Sequence, residues 1–206
     1  MNTILYLHGF NSSPESHKAR VLRDYMNLSG LGDRIDIPEI PPVPAAAIEL
    51  LQQHAETILK HSGLSMAGSS LGGFYATWLA EKYNCPAVLI NPAIRPHQIL
   101  SKYLGENTNY YTAESWVLDE VHINQFHELY IEKISHPHRY LLMLQTGDDT
   151  LDYREAVARY ADCRTIIEQG GSHEFSGFER HLDKILEFCN VNQSLYLINI
   201  SEPTRP

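Results

Sequence analysis

A serine flanked by glycines stands where an apolar run gives way to a helical pattern. Residues 64–67, LSMA, are mainly apolar. GSSLG follows at 68–72 in the pattern G-x-S-x-G, and residues 74–80 continue as a predicted helix. A strand, a tight turn and a helix in this order raise the central serine hydroxyl above a sheet, where it can act as a nucleophile. Ser70 has glycine two positions before and two after it, as such a crowded turn requires, and Ser69 does not. A loop that only turns the chain has the same composition, so the partners of a nucleophile must be sought elsewhere.

A serine hydroxyl needs a general base, and His173 is the best placed of the 11 histidines. It lies in the stretch GGSHEF at 170–175, directly after a predicted strand, so that its glycine-rich loop can reach Ser70. The base in turn needs an acid to orient it, and Asp148 is the first acid after the predicted strand at 140–145. The order nucleophile, acid, base along the chain is one of those known for serine hydrolases.

The choice of Asp148 over its neighbours depends on the local backbone. Side chains of adjacent residues point in opposite directions in an extended segment, so Asp149 would point away from His173. Asp149 or Asp152 also fits the N-cap of a helix that begins at residue 153. The alternative for the whole segment is a turn with a helix cap and no catalytic role.

Acyl transfer also needs hydrogen-bond donors for the oxyanion of the tetrahedral intermediate. The backbone N–H of Leu71 is one predicted donor, because it follows the nucleophile at the start of a helix. The second is expected from the loop after the first strand, where Gly9 lets the backbone turn in and the N–H of Phe10 can point at the substrate.

The predicted elements bring these groups to one edge of a sheet. Short apolar strands alternate with amphipathic helices, which is typical of a mainly parallel sheet covered on both faces. The predicted strands lie at 4–7, 35–37, 64–67, 86–90, 140–145 and 164–168, and the predicted helices at 14–30, 45–60, 74–80, 97–104, 119–134, 153–160 and 178–188. Ligands bind beyond the carboxyl ends of parallel strands, which is where every candidate group lies.

Two further segments complete the predicted organisation. Residues 1–190 are expected to form one domain, in which the aromatic-rich insert at 94–138 forms a small cap over Ser70. The alternative is that these aromatic side chains only complete the core. Residues 191–206 are expected to be a C-terminal tail, in which residues 195–200 form an extra strand or pack on a neighbouring chain.

Composition and charge exclude several classes of protein. The net charge is −9 and no basic patch occurs, so nucleic acids and anionic membranes are poor partners. No apolar stretch reaches the roughly 18 residues of a membrane span, and the N terminus lacks the features of a signal peptide.

Three widely spaced cysteines, Cys85, Cys163 and Cys189, favour a reduced cytoplasmic protein without disulfides. No spacing typical of a metal site or phosphate loop occurs, so we expect neither metal nor cofactor, and a small-molecule substrate as the partner. The oligomeric state stays open.

Five motifs, in this order along the chain, resemble those of the small bacterial YqiA-type esterases of the α/β-hydrolase fold. They are YLHGFNSSP at 6–14, GSSLGGFYATWL at 68–79, NPAIRP at 91–96, QTGD at 145–148 with LDYREAV at 151–157, and GGSHEF at 170–175. The resemblance implies a three-layer α/β sandwich with a mainly parallel central sheet and a small cap. It also implies hydrolysis of short carboxylic esters, extending to acyl-CoA thioesters, with Ser70, Asp148 and His173 as the catalytic triad.

Two other functions share this fold. A protein that keeps the fold but only binds a partner is the alternative from another class, although binding alone does not require a nucleophile, a base, an acid and oxyanion donors together. A peptidase or haloperoxidase on the same scaffold is also compatible with the sequence, because a fold does not determine its chemistry.

Overall fold

The computed structural model describes residues 1–191 and is built around a six-stranded sheet. The strands β1 to β8 are Asn2–Leu7, Ile35–Asp36, Gly63–Ser69, Ala87–Ile90, Gly105–Thr108, Ser115–Leu118, Tyr140–Gln145 and Arg164–Glu168. The helices α1 to α7 are His17–Leu28, Pro44–Leu59, Leu71–Tyr83, Pro96–Ile99, Glu120–Glu128, Tyr153–Arg159 and Leu182–Phe188. The central sheet has the order β2-β1-β3-β4-β7-β8, and every neighbouring pair in it is parallel. The predicted sheet is therefore confirmed, and the predicted tail strand at 195–200 lies outside the described residues.

Side chains of the central strands alternate between two buried clusters, one on each face of the sheet. In β1, Leu5 and Leu7 belong to the cluster that contains residues of α2 and α3. Ile4 and Tyr6, which point to the opposite face, belong to the cluster that contains residues of α1 and α7. All four side chains are fully buried. Burial on both faces is what a parallel sheet between two helical layers requires, so the predicted three-layer α/β architecture is confirmed.

The insert between β4 and β7 contains an antiparallel hairpin that the sequence pattern did not reveal. The hairpin pairs β5 with β6, two strands of four residues, GENT and SWVL, in which apolar and polar residue types do not alternate. The helix predicted at 97–104 is present as α4 followed by a 3₁₀ turn. The helix predicted at 119–134 ends at Glu128, so its second half was wrong. Arg159 of α6 donates to the carbonyl oxygens of Ile131 and Glu132, which competes with a further helical turn there.

Residues 1–191 contain no helix with the length and apolar character of a bilayer-spanning segment. Within the same residues, no three His, Cys, Asp or Glu side chains come together in an arrangement that could hold a metal ion.

Candidate active site

Ser70 lies in a sharp turn between the end of β3 and the start of α3. Its backbone has φ 54° and ψ −120°, a strained conformation for a residue with a side chain. Close backbone contacts surround the turn. A Cβ atom on Gly68 would lie 2.3 Å from the carbonyl oxygen of Gly72, and one on Gly72 would lie 1.9 Å from the carbonyl oxygen of Leu7. Both positions therefore accept only glycine, which explains the spacing G-x-S-x-G around Ser70.

The structure brings together the three side chains that the sequence singled out. The Nε2 atom of His173 lies 3.1 Å from Ser70 Oγ, and its Nδ1 atom lies 2.8 Å from Asp148 Oδ2. The three residues come from the loops after β3, β7 and β8, at the carboxyl edge of the sheet. Asp149 is exposed and faces Thr150, and Asp152 caps α6 by accepting from the N–H of Arg154 at 3.0 Å.

The carboxylate of Asp148 is buried, and both of its oxygen atoms accept hydrogen bonds. Its side chain is 2% exposed, and its Oδ1 atom accepts from the backbone N–H groups of Thr150 at 2.9 Å and Leu151 at 2.8 Å. Burial raises the pKa of Asp148, but the hydrogen bonds from His173 and from these two N–H groups outweigh burial and hold the pKa below its usual value. Asp148 is thus an ionised acceptor with a fixed orientation towards His173.

Two buried amide side chains, which the sequence analysis did not identify, hold the loop that carries His173. Gln145, the last residue of β7, accepts through Oε1 from the N–H groups of Ser172 at 3.0 Å and Ser176 at 2.8 Å. Asn91, directly after β4, donates through Nδ2 to the carbonyl oxygens of Ser172 at 3.0 Å and His173 at 3.1 Å. Its Oδ1 atom accepts from the N–H of Gln145 at 3.0 Å. An amide side chain at the end of an otherwise apolar strand is the signal that could have indicated both residues.

The loop after β1 lies directly beside Ser70, as expected for an oxyanion loop. A Cβ atom on Gly9 would lie 3.8 Å from Ser70 Oγ. Among residues 1–191, neither Phe10 nor Leu71 donates its backbone N–H to another group of the protein. The two predicted donors are therefore available to an oxygen atom of a ligand.

The hairpin of the insert is bonded to this loop. The Nε1–H of Trp116 donates to Asn11 Oδ1 at 2.8 Å, and the N–H of Tyr110 donates to the carbonyl oxygen of Asn11 at 3.0 Å. The rings of Phe10 and Trp116 pack edge to face, with centroids 5.7 Å apart. The conformation at Phe10 therefore depends on the insert as well as on β1.

His8 holds the same loop from its buried side and is a further residue whose role the sequence left undefined. Its Nε2 atom accepts from the N–H of Ile40 at 3.1 Å, and its Nδ1–H donates to the carbonyl oxygen of Gly9 at 3.1 Å. Burial lowers the pKa of His8 to about 4, and the hydrogen bond to Gly9 only partly opposes this effect. His8 is therefore neutral near pH 7, and both of its ring nitrogens are used.

Ser70 and His173 open into a cavity of about 590 Å³. Part of its wall comes from the insert, whose contributing side chains include Pro96, Ile99, Leu100, Tyr103, Tyr110 and Tyr111. The insert therefore borders the space around Ser70, as a cap would. Trp116 does not line this cavity, and lines a neighbouring one of about 400 Å³ that shares Phe10 and Leu71 with it.

Comparisons with known proteins agree with this architecture. The model of the uncharacterised protein family UPF0227 matches residues 3–190. The UPF0227 protein ECA1814 of Pectobacterium atrosepticum is 22% identical over 190 residues, which cover 90% of this chain and 97% of that protein.

Among solved structures, a provisionally named hydrolase of Agrobacterium vitis S4 matches with a TM-score of 0.72 and 16% identity, covering 91% of this chain and 88% of that one. Est1E of Butyrivibrio proteoclasticus matches with a TM-score of 0.64 and 15% identity over 98% and 89% of the two chains. The fold is that of the α/β hydrolases.

The neutral state of His8 predicts a loss of stability in acid. Because the pKa of His8 is about 4 in the folded protein and 6.5 as its ordinary value, the unfolded chain binds the extra proton first. The contribution of neutral His8 to the free energy of unfolding is therefore complete above pH 6.5. It is lost as the pH falls towards 4, by a total of about 3 kcal/mol. Urea unfolding between pH 4.5 and 7 should show a shallower pH dependence for His8→Gln than for the wild type. The exposed His61→Gln is the control and should keep the wild-type slope; equal slopes for wild type and His8→Gln would refute the assignment.

The amide network predicts that Gln145 limits the opening of the His173 loop. Gln145→Leu removes the acceptor of two backbone N–H groups, those of Ser172 and Ser176. Losing these two partly buried hydrogen bonds should raise amide hydrogen exchange at residues 170–176 by about tenfold or more. Gln169→Leu changes an exposed glutamine of the same loop and should leave this exchange near the wild-type rate. Unchanged protection in a folded Gln145→Leu protein would contradict the role of the network.

Proposed function

Because the chain belongs to the uncharacterised protein family UPF0227 and has the α/β-hydrolase fold, we propose that it is a serine hydrolase of short-chain carboxylic esters. The observation that carries this proposal is the hydrogen-bonded series Ser70, His173 and Asp148 at the wall of a cavity. A nucleophile, a base in contact with it and an acid in contact with the base are the arrangement that acyl transfer needs.

In the proposed mechanism, Ser70 Oγ attacks the ester carbonyl carbon while Nε2 of His173 takes the hydroxyl proton. Asp148 accepts from the Nδ1–H of His173, which keeps the correct tautomer and stabilises the imidazolium that forms. The imidazolium then protonates the departing alcohol, the bond between carbonyl carbon and alcohol oxygen breaks, and the acyl group stays on Ser70. A water molecule, deprotonated by His173, attacks the carbonyl carbon of this acyl-enzyme. The bond from that carbon to Ser70 Oγ then breaks, the imidazolium of His173 returns the proton to Oγ, and the acid is released.

Two backbone donors, the N–H groups of Phe10 and Leu71, stabilise the negatively charged oxygen of each tetrahedral intermediate in this proposal. Leu71 is the first residue of α3, whose positive N-terminal end also favours negative charge. Loss of one such donor typically costs about 10²–10³ in rate. The contacts of His8 and Trp116 with the Phe10 loop support this assignment, since an oxyanion hole must be preorganised to be effective.

The size of the cavity favours short acyl groups. A volume of about 590 Å³ must hold both the acyl and the alcohol part of the ester. Thioesters such as acyl-CoA fit the same mechanism, since a thiolate leaves from the same intermediate. Rates that rise steadily across 4-nitrophenyl esters from acetate to dodecanoate would argue against the preference for short chains.

The alternative is an interaction module that keeps the fold and works by binding alone. It needs no activated serine, so a fluorophosphonate probe that reacts with nucleophilic serines separates the two functions. Labelling of Ser70 supports the hydrolase, and a folded protein that resists the probe supports the module.

The assignment of the nucleophile predicts different outcomes for the two adjacent serines. Ser70→Ala should lower kcat/KM for 4-nitrophenyl acetate by about 10³-fold or more, because it removes the attacking oxygen. Ser69→Ala is the matched control and should keep most of the activity and the probe labelling. Circular dichroism checks that both variants are folded. Equal losses in two folded variants would refute the assignment.

The assignment of the acid predicts a similar contrast between two adjacent aspartates. Asp148→Asn should lower kcat by up to about 10⁴, because an amide favours the wrong tautomer of His173. Asp149→Asn should cost far less, because its exposed side chain does not contact His173. The measurement is steady-state hydrolysis of 4-nitrophenyl acetate by the two variants. A larger loss of kcat in Asp149→Asn than in Asp148→Asn would mean that Asp149 is the acid.

A further inference from the structure

A buried lysine that the proposed mechanism does not use lies beside the candidate active site. The Lys18 side chain, in the first turn of α1, is 7% exposed. Its ammonium group donates to the carbonyl oxygen and to the carboxylate of Glu174, both at 3.0 Å. A buried cation is costly unless it is paired and hydrogen-bonded, so a position of this kind calls for an explanation.

The only anion that pairs with Lys18 among the described residues is the solvent-exposed carboxylate of Glu174. The Glu174 side chain is 76% exposed, so water competes for its carboxylate and screens the attraction. An ammonium group has three donors, and two of them are used within residues 1–191. The Lys18 ammonium can therefore donate to a second anion, or to a different anion in place of the Glu174 carboxylate.

Lys18 lines the same 590 Å³ cavity as Ser70. The neighbouring wall is polar, with the side chains of Ser12, Ser16 and Tyr6. The Tyr6 hydroxyl is buried and has no hydrogen-bond partner within the described part of the chain. Ser16 is the N-cap of α1, a helix of 12 residues without an acidic residue in its first turn, so the helix adds positive potential at this place.

We propose that Lys18 forms an anion subsite for the substrate, so that the preferred esters carry a carboxylate or phosphate group as well as the bond that Ser70 attacks. The subsite rests on the hydrolase function proposed above and names the substrate class of that same site. In the free enzyme the Glu174 carboxylate occupies the position of the substrate anion and moves into solvent when substrate binds.

A purely structural role for Lys18 predicts a different result. The contact of Lys18 with the carbonyl oxygen of Glu174, the residue after His173, could serve only to hold the loop. In that case removal of the ammonium would affect charged and neutral esters alike. The informative quantity is therefore the ratio of kcat/KM for a charged ester to that for its neutral counterpart.

The test compares esters of matched shape in the wild type and in Lys18→Met. 4-Acetoxybenzoate and 4-acetoxyphenyl phosphate place the charge on the alcohol side, with 4-acetoxybenzamide as the neutral counterpart. Monomethyl adipate places it on the acyl side, with methyl 5-carbamoylpentanoate as counterpart. Lys18→Met should lower the charged-to-neutral ratio for at least one pair by about tenfold or more, the range for a hydrogen bond to a charged group. The pair that responds identifies the anion and the side of the ester that carries it.

The control is Arg20→Met, which removes a positive charge from an exposed position of the same helix and should leave every ratio within twofold of the wild type. Ratios in Lys18→Met within twofold of the wild type for all charged esters, or an equal fall in Arg20→Met, would overturn the subsite. If Lys18→Met does not fold, Glu174→Gln decides, because removal of the competing carboxylate should raise the ratio severalfold, and an unchanged or lower ratio overturns the proposal. A folded wild type that turns over none of these esters would instead refute the hydrolase function itself, and the subsite with it.

Discussion

The hydrogen bond between Ser70 Oγ and His173 Nε2 joins two residues that are 103 positions apart in the chain, and the remainder of the site is arranged around it. Such a bond tolerates errors of only a few tenths of an ångström. A parallel sheet provides this precision, because the loops that leave the carboxyl ends of β3, β7 and β8 start from strands of one hydrogen-bonded sheet, in which only β4 lies between β3 and β7. The same edge places Asp148 within reach of the second nitrogen of His173.

Buried polar side chains fix the conformation of the loops that leave the edge of the sheet. Gln145 and Asn91 fix the loop of His173, and His8 fixes the loop of Phe10. Each is a neutral group that forms hydrogen bonds with backbone atoms, and Gln145 also donates to the Glu168 carboxylate. A neutral group with hydrogen-bond partners costs less in a low-dielectric interior than a charge does. Lys18, by contrast, is a buried cation in a protein whose net charge is −9. Local surroundings, and not the total charge, therefore set the electrostatics of the cavity.

The fold and the centre of the site could be predicted because they rest on local patterns. Apolar runs of four to six residues mark the buried strands, and β4 and β7 were placed to within one residue. The glycines around Ser70 mark a turn that needs close backbone contact, and the structure gives the reason in the approach of Gly72 to the carbonyl oxygen of Leu7. The hairpin of the insert was missed because its strands are short and apolar and polar residue types do not alternate along them.

The sequence by itself determined the sheet, its helical layers and the three side chains that meet at its edge, since strand periodicity and glycine spacing are properties of neighbouring residues. Only the tertiary structure decided that His8 is neutral and that Gln145 and Asn91 hold the loop of His173. Only the tertiary structure, too, placed Lys18 beside the cavity of Ser70. Those properties depend on burial and on partners distant in the chain, and neither quantity is encoded in the spacing of residue types along a single segment.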